Sequence, residues 1–151
     1  MNLHFEWKRL ESLTALELYH IIQARESVFV VEQQCAYQEA DGLDLHAWHL
    51  RVLLEGELAA CARVVDPGRK YTEPSIGRVM TLGNFRKLQI GRALVAEAIA
   101  FTERQWPGQG IRIGAQAHLQ HFYGSLGFQT VGDVYDEDGI PHVDMVKPAP
   151  I

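Results

Sequence analysis

The segment Arg86-Lys87-Leu88-Gln89-Ile90-Gly91-Arg92-Ala93 sets three cations and a glycine at the opening of an apolar-periodic helix. The first turn of a helix leaves backbone N–H groups unpaired, and their partial positive charge attracts anions. Gly91 lets a bulky anion approach the backbone closely. Arg86, Lys87 and Arg92 add formal charge in a chain that is acidic overall. This combination suits a diphosphate or polyphosphate. It is not a Walker loop, because Gly-Lys-Ser/Thr is missing, and it has one of the three glycines of a dinucleotide fingerprint.

Other reactive residue types carry weaker signals. Tyr123 falls among Leu119, Phe122 and Leu126 and, by residue type alone, reads as a core or half-buried aromatic. Glu32 alone reads as a helix-end charge. Arg25 interrupts an apolar helical face, either to pair with a carboxylate or to reach outward. His46 and His49 would face opposite sides of a strand, and His118 and His121 share a helical face without a third ligand nearby. No metal site is expected. Cys61, within Leu58–Ala62, reads as a small core hydrophobe, and Gly124-Ser125-Leu126-Gly127 lacks the first glycine of a nucleophile elbow. Two acidic clusters, Glu39/Asp41/Asp44 and Asp133/Asp136/Glu137/Asp138, read as solvated loops. The functional alternative is a negative rim that attracts a cationic amine.

These residues need elements to position them. Leu3, Phe5 and Trp7 alternate as in a strand. Thr14 with Glu17 forms a capping-box signature for a helix running to about Glu32, followed by an acidic loop over Gln33–Asp44. Leu50–Leu54 and Leu58–Val65 flank Glu55-Gly56 as a hairpin. Ile76–Thr81 reads as a fourth strand, about Gln89 to Gln105 as a helix stopped by Pro107-Gly108, and Ile111–Ala115 as a fifth strand. A helix from about His118 to Leu126 ends at Gly127. Phe128–Val134 and Ile140–Val146 flank the turn signal Asp138-Gly139. The order β-α-β-β-β-α-β-α-β-β predicts an α/β (α+β) domain with a mixed, mostly antiparallel seven-stranded sheet flanked by helices. A C-terminal edge strand would offer a pairing surface for a homodimer.

The chain has 151 residues, with no repeat, low-complexity tract or linker, which predicts a single domain over 1–151. Its net charge of −5 argues against nucleic acid as the main partner. No apolar run approaches the ~18 residues that span a bilayer, and Met1–Trp7 lacks a signal-peptide pattern. Two cysteines, Cys35 and Cys61, cannot build a disulfide framework, and free thiols fit a reducing, cytoplasmic setting.

The loop at Arg86–Ala93 resembles motif A of the GNAT N-acetyltransferases, R/Q-x-x-G-x-G/A. Arg86 matches its first position and Gly91 its last, while Gln89 stands where the family usually has its first glycine. His121-Phe122-Tyr123-Gly124-Ser125-Leu126-Gly127-Phe128 is similar to the family's F-Y-x-x-x-G-F segment. Arg25–Gln33, Asp41-Gly42, Gly114–Gln120 and Glu137–His142 resemble signature segments of the ElaA-type branch. The resemblance spans roughly Leu18 to Lys147.

The resemblance implies acetyl transfer from acetyl-coenzyme A, as co-substrate and without a metal, directly to an amine on a small molecule or peptide. It places the pyrophosphate on Leu88, Gln89, Ile90, Gly91, Arg92 and Ala93, with Arg86, Lys87 and Arg92 as cations. It places the pantetheine arm along Val79, Met80 and Thr81 and a coenzyme A contact at Gln116. A backbone N–H near Met80 is the expected oxyanion donor. Tyr123 is the expected acid for the departing thiolate. Glu32, His49 and His142 are candidate bases, with Glu32 favoured as the helix end beside the acceptor loop. The alternative is a non-catalytic acyl-coenzyme A binding or sensing module; an interaction domain using the acidic loops is the remaining competitor.

Overall fold

Local signals become local structure with few exceptions. The computed structural model describes residues 2–151. Leu3–Arg9 forms β1 and Ala15–Arg25 forms α1. Thr14 Oγ1 accepts from the Glu17 N–H at 3.1 Å, and the Glu17 carboxylate accepts from the Thr14 N–H at 2.9 Å. Such a capping box is worth about 1 kcal/mol. The helix reaches Glu32 as expected, but Glu26–Glu32 winds as a wider π-helix. Wide turns of this kind are often found at functional sites.

β2 (Ala47–Leu54) and β3 (Glu57–Val65) form the expected hairpin. Glu55 and Gly56 both take positive φ, 52° and 82°, as its tight turn requires. β4 is Ser75–Thr81, α2 is Ile90–Gln105 and β5 is Ile111–Gln116. The third expected helix divides into a 3-10 turn at Ala117–Leu119 and a short α3 at Gln120–Gly124. β6 (Gln129–Glu137) and β7 (Ile140–Lys147) close on Asp138-Gly139, again with both φ positive.

All seven strands are present, and they divide between two antiparallel sheets, β1-β2-β3-β4 and β5-β7-β6. The sheets meet at the starts of β4 and β5, where the Arg112 N–H donates to the Pro74 carbonyl at 3.1 Å. No ladder joins the two strands further along among the described residues, so a cleft opens between them. The hairpin folds β7 back between β5 and β6. The C-terminal strand is therefore central, and β6 holds the edge that was expected of the C-terminus.

α2 spans the division. Ile90 and Leu94 are buried with Leu50, Val52 and Ala60 of the first sheet. Val95, Ala98 and Ile99 join Val64, Ile76, Ile113 and Val143 in a core shared by both sheets. Each large aliphatic side chain buried this way contributes about 1.5–3 kcal/mol. Trp7 stacks on Phe101 with ring centroids 3.8 Å apart, and its Nε1 donates to Glu97 at 2.9 Å, so β1 is fixed to the same helix.

Candidate active site

The anion loop begins where β4 ends. Gly83–Leu88 makes 3-10 turns, then Gln89 turns left-handed at φ 56° and ψ 39°. This is the conformation glycine adopts freely and other residues adopt at a cost. The loop thus keeps a glycine-like turn without glycine, and α2 starts at Ile90 rather than Gln89. Unlike α1, α2 has no side-chain cap. Its first-turn N–H groups have no such partner, which suits them to an external anion. Ile90 is fully buried and anchors the turn from below. A Cβ built on Gly91 would meet nothing nearer than Thr81 Oγ1 at 4.0 Å. The chain's own packing therefore does not require glycine there, and the backbone at this position is open to close approach from outside. Arg86, Lys87 and Arg92 are exposed around this turn. Arg92 donates to Ser125 Oγ at 2.9 Å, which ties the helix start to the chain just after α3.

A cleft lies between β4, the strand that leads into this loop, and β5. It is lined by Gly77, Arg78 and Val79 on one wall and Ala115 and Gln116 on the other, with Tyr123 facing it. β4 does not run straight along the wall. Its register against β3 shifts between Cys61 and Arg63, and Arg78 takes a positive φ of 48°. A bulge of this kind leaves a residue out of the ladder and redirects the strand. Met80, paired with Cys61, is buried just beyond it. Tyr123 is 8% exposed, with its ring edge-on to Phe122 and Phe128. Burial disfavours the phenolate and pushes the hydroxyl up to about 12.

The sequence reading of the first acidic cluster is corrected by the structure. Glu39, Asp41 and Asp44 form neither a solvated loop nor a free negative rim, because three arginines neutralise them. Arg25, 4% exposed, donates to Glu39 at 2.6 Å and to Asp44 at 2.9 Å. Arg63 donates to Asp41 at 3.0 Å and to Asp44 at 3.1 Å. Arg78 donates to Glu39 at 2.9 Å and lies over the Phe29 and Tyr37 rings. Tyr37 also donates to Glu39, at 2.5 Å, and burial followed by that bond raises its hydroxyl. Burial pushes the Asp44 carboxyl up, but Arg25 and Arg63 outweigh it and hold the group below the usual range. Asp41 is held low in the same sense by Arg63.

The three candidate bases occupy different places. Glu32 sits on the surface, bound to Arg86 at 2.7 Å, and does not line the cleft. His49 is buried, with Nε2 3.0 Å from the Asp44 carbonyl; burial leads in lowering its affinity for a proton. It too lies outside the cleft. His142 lines the cleft with Tyr123 and Gln116, and Gln116 is its partner in the β5–β7 register. Sequence reasoning missed Arg63, Lys70 and Arg78, which line the same cleft. Arg78, the one charged residue in an otherwise mostly apolar strand run, was the signal available. Among the described residues no group of three or more His, Cys, Asp or Glu could hold a metal, and no helix is long and apolar enough to cross a membrane.

Comparison with known proteins agrees with this fold. Residues 20–149 match the family described as "Acetyltransferase (GNAT) domain". Protein ElaA of Escherichia coli K12 is 40% identical over 146 residues, covering 94% of this chain and 95% of its own. A solved acyl-CoA N-acyltransferase from Pseudomonas aeruginosa superposes with a TM-score of 0.91 at 42% identity, covering 97% of this chain and 99% of its own. Solved Escherichia coli ElaA gives 0.90 at 36% identity, with the same coverage.

Proposed function

Because this chain belongs to the GNAT acetyltransferase family, whose members are acyltransferases, we propose that it moves an acetyl group from acetyl-coenzyme A to a primary amine on a small molecule or peptide. The observation that carries this reading is the uncapped start of α2, open around Gly91, following on β4, whose other end lines the cleft that Tyr123 faces. The pyrophosphate is held by N–H groups between Leu88 and Ala93, with Arg86, Lys87 and Arg92 as cations. The pantetheine arm lies along Val79, Met80 and Thr81, where β4 lacks a partner strand on its cleft side, and adds to the open edge as a strand would. Gln116 contacts the carrier from the opposite wall. A backbone N–H freed by the bulge near Met80 meets the thioester oxygen as it gains charge, a contribution of several kcal/mol in related sites.

Tyr123 is the acid that protonates the departing sulfur. A phenol near 12 donating to a thiolate near 8.5 works uphill by roughly 5 kcal/mol if a phenolate is left behind. The buried site therefore favours a relay, in which Tyr123 receives a proton from the reacting amine as it gives one up. Glu32 occupies Arg86 until the phosphates displace it.

The test is thiol release from acetyl-coenzyme A with the purified full chain across a panel of primary amines. Saturable release with at least one amine is expected. Saturable coenzyme A binding without release from any amine would instead identify a sensing module, and no binding at all would favour an interaction domain.

A further inference from the structure

His142 is 7% exposed and shares its cleft with Tyr123 and Gln116. Its Nδ1 lies 2.8 Å from the Ile140 carbonyl. A carbonyl accepts hydrogen bonds and cannot donate, so Nδ1 carries the hydrogen and the neutral ring keeps its lone pair on Nε2. That nitrogen lies 3.3 Å from Glu137 Oε2. The ring is further held by stacking on Tyr135, with centroids 6.1 Å apart. Glu137 is 47% exposed in its side chain, so one end of the pair touches the cleft and the other touches water. The other charged groups lining the cleft are Arg63 from β3, Arg78 from β4 and Lys70 before β4, and Asp138 borders the adjoining space beside Arg78 and His142. Glu137 is thus the carboxylate in contact with the ring.

We infer that His142, positioned by the Ile140 carbonyl, is the base that takes a proton from the acceptor ammonium and that Glu137 stabilises the imidazolium so formed, an inference that rests on the acetyltransferase reading above. His142 Nε2 removes one of the three ammonium protons, and the freed lone pair forms the N–C bond as the C–S bond breaks. A second proton leaves the nitrogen and, through Tyr123, ends on the coenzyme A sulfur. The third stays on the amide nitrogen. Glu137 stabilises the imidazolium until its proton passes to water. Amide, free thiol and one released proton balance the reaction.

The test uses two nucleophiles with acetyl-coenzyme A: a primary alkylamine, protonated at neutral pH, and a hydrazide, already neutral there. H142N can still donate to the Ile140 carbonyl but has no basic nitrogen. It should lose about 10²-fold or more in kcat/KM toward the alkylamine and less than about threefold toward the hydrazide, with coenzyme A affinity unchanged by calorimetry. E137Q should lose about tenfold toward the alkylamine alone. Equal losses on both nucleophiles, or none on either, would overturn the assignment. If the parent chain binds coenzyme A but releases thiol with neither nucleophile, the transferase reading itself fails, and the base falls with it. Circular dichroism checks that H142N folds, and H142Q replaces it if it does not.

Discussion

Arg86 Nη2 lies 2.7 Å from Glu32 Oε1, and the same guanidinium donates through Nε to the Thr81 carbonyl at 3.0 Å. The end of the first helix, the end of β4 and the Arg86–Ala93 loop are therefore joined at one side chain. Under the proposed function, a phosphate arriving at the loop would compete with Glu32 for Arg86. Removing that competition in E32Q should tighten coenzyme A binding by about threefold, whereas R86A should weaken it by about tenfold. Both partners are exposed, so neither change should move the melting temperature by more than about 2 °C. Calorimetry and thermal melts check both outcomes.

Y123F keeps the ring contacts with Phe122 and Phe128 and removes only the hydroxyl. Turnover should fall by about 10²-fold, with coenzyme A affinity unchanged. The hydroxyl's raised pKa also makes a stability prediction. The folded state holds this proton more tightly than the unfolded chain, so its contribution is complete below about pH 10. It should be lost as pH rises toward about 12. Alkaline melts of parent and Y123F should diverge in that window, with the variant less sensitive; coincident curves would contradict the buried hydroxyl.

Gly91 separates folding from binding. The space around its Cβ position means G91A should fold normally and gain up to about 1 kcal/mol from better helix propensity. The same methyl should stand where the pyrophosphate approaches and lower affinity by about tenfold, and G91D, by adding charge, should lower it more than about a hundredfold. A G91D protein with unchanged coenzyme A affinity would mean that the diphosphate sits elsewhere.

The arginine–carboxylate cluster predicts acid sensitivity. Asp41 and Asp44 have depressed folded pKa values, so their stabilisation is present above the ordinary carboxylate value of about 4 and is lost as pH falls through the folded values. D44N should flatten the melting temperature against pH below about 4. E39Q leaves buried Arg25 and half-buried Arg78 short of a charged partner and should cost about 3 kcal/mol, roughly 6–12 °C in melting temperature.

What was legible in the sequence was mostly local. The Thr14–Glu17 box, the Glu55-Gly56 and Asp138-Gly139 turns and the period of α2 act within a few residues, where composition and conformation are directly linked. Pairing with a carboxylate was one of two readings for Arg25, but the partners were not legible, because Arg25, Arg63 and Arg78 meet carboxylates 14 to 39 residues away, through an arrangement that exists only after the sheet forms. Gln89 was read as a departure from a glycine pattern. Its backbone shows that the turn outweighs the residue's own preference, since Ile90 and Leu94 are buried on one side and Arg86 is tied down on the other. His142 could be named but not ranked from sequence, because it reaches the cleft that Tyr123 lines only once β7 pairs with β5.

The unstitched seam between the two sheets also has a mechanical consequence. A carrier lodged along it would act as a rivet between halves that otherwise share α2, its core and a backbone hydrogen bond at one end. Amide hydrogen exchange should then slow on both banks together, in β4 and in β5, though the carrier touches each through different atoms.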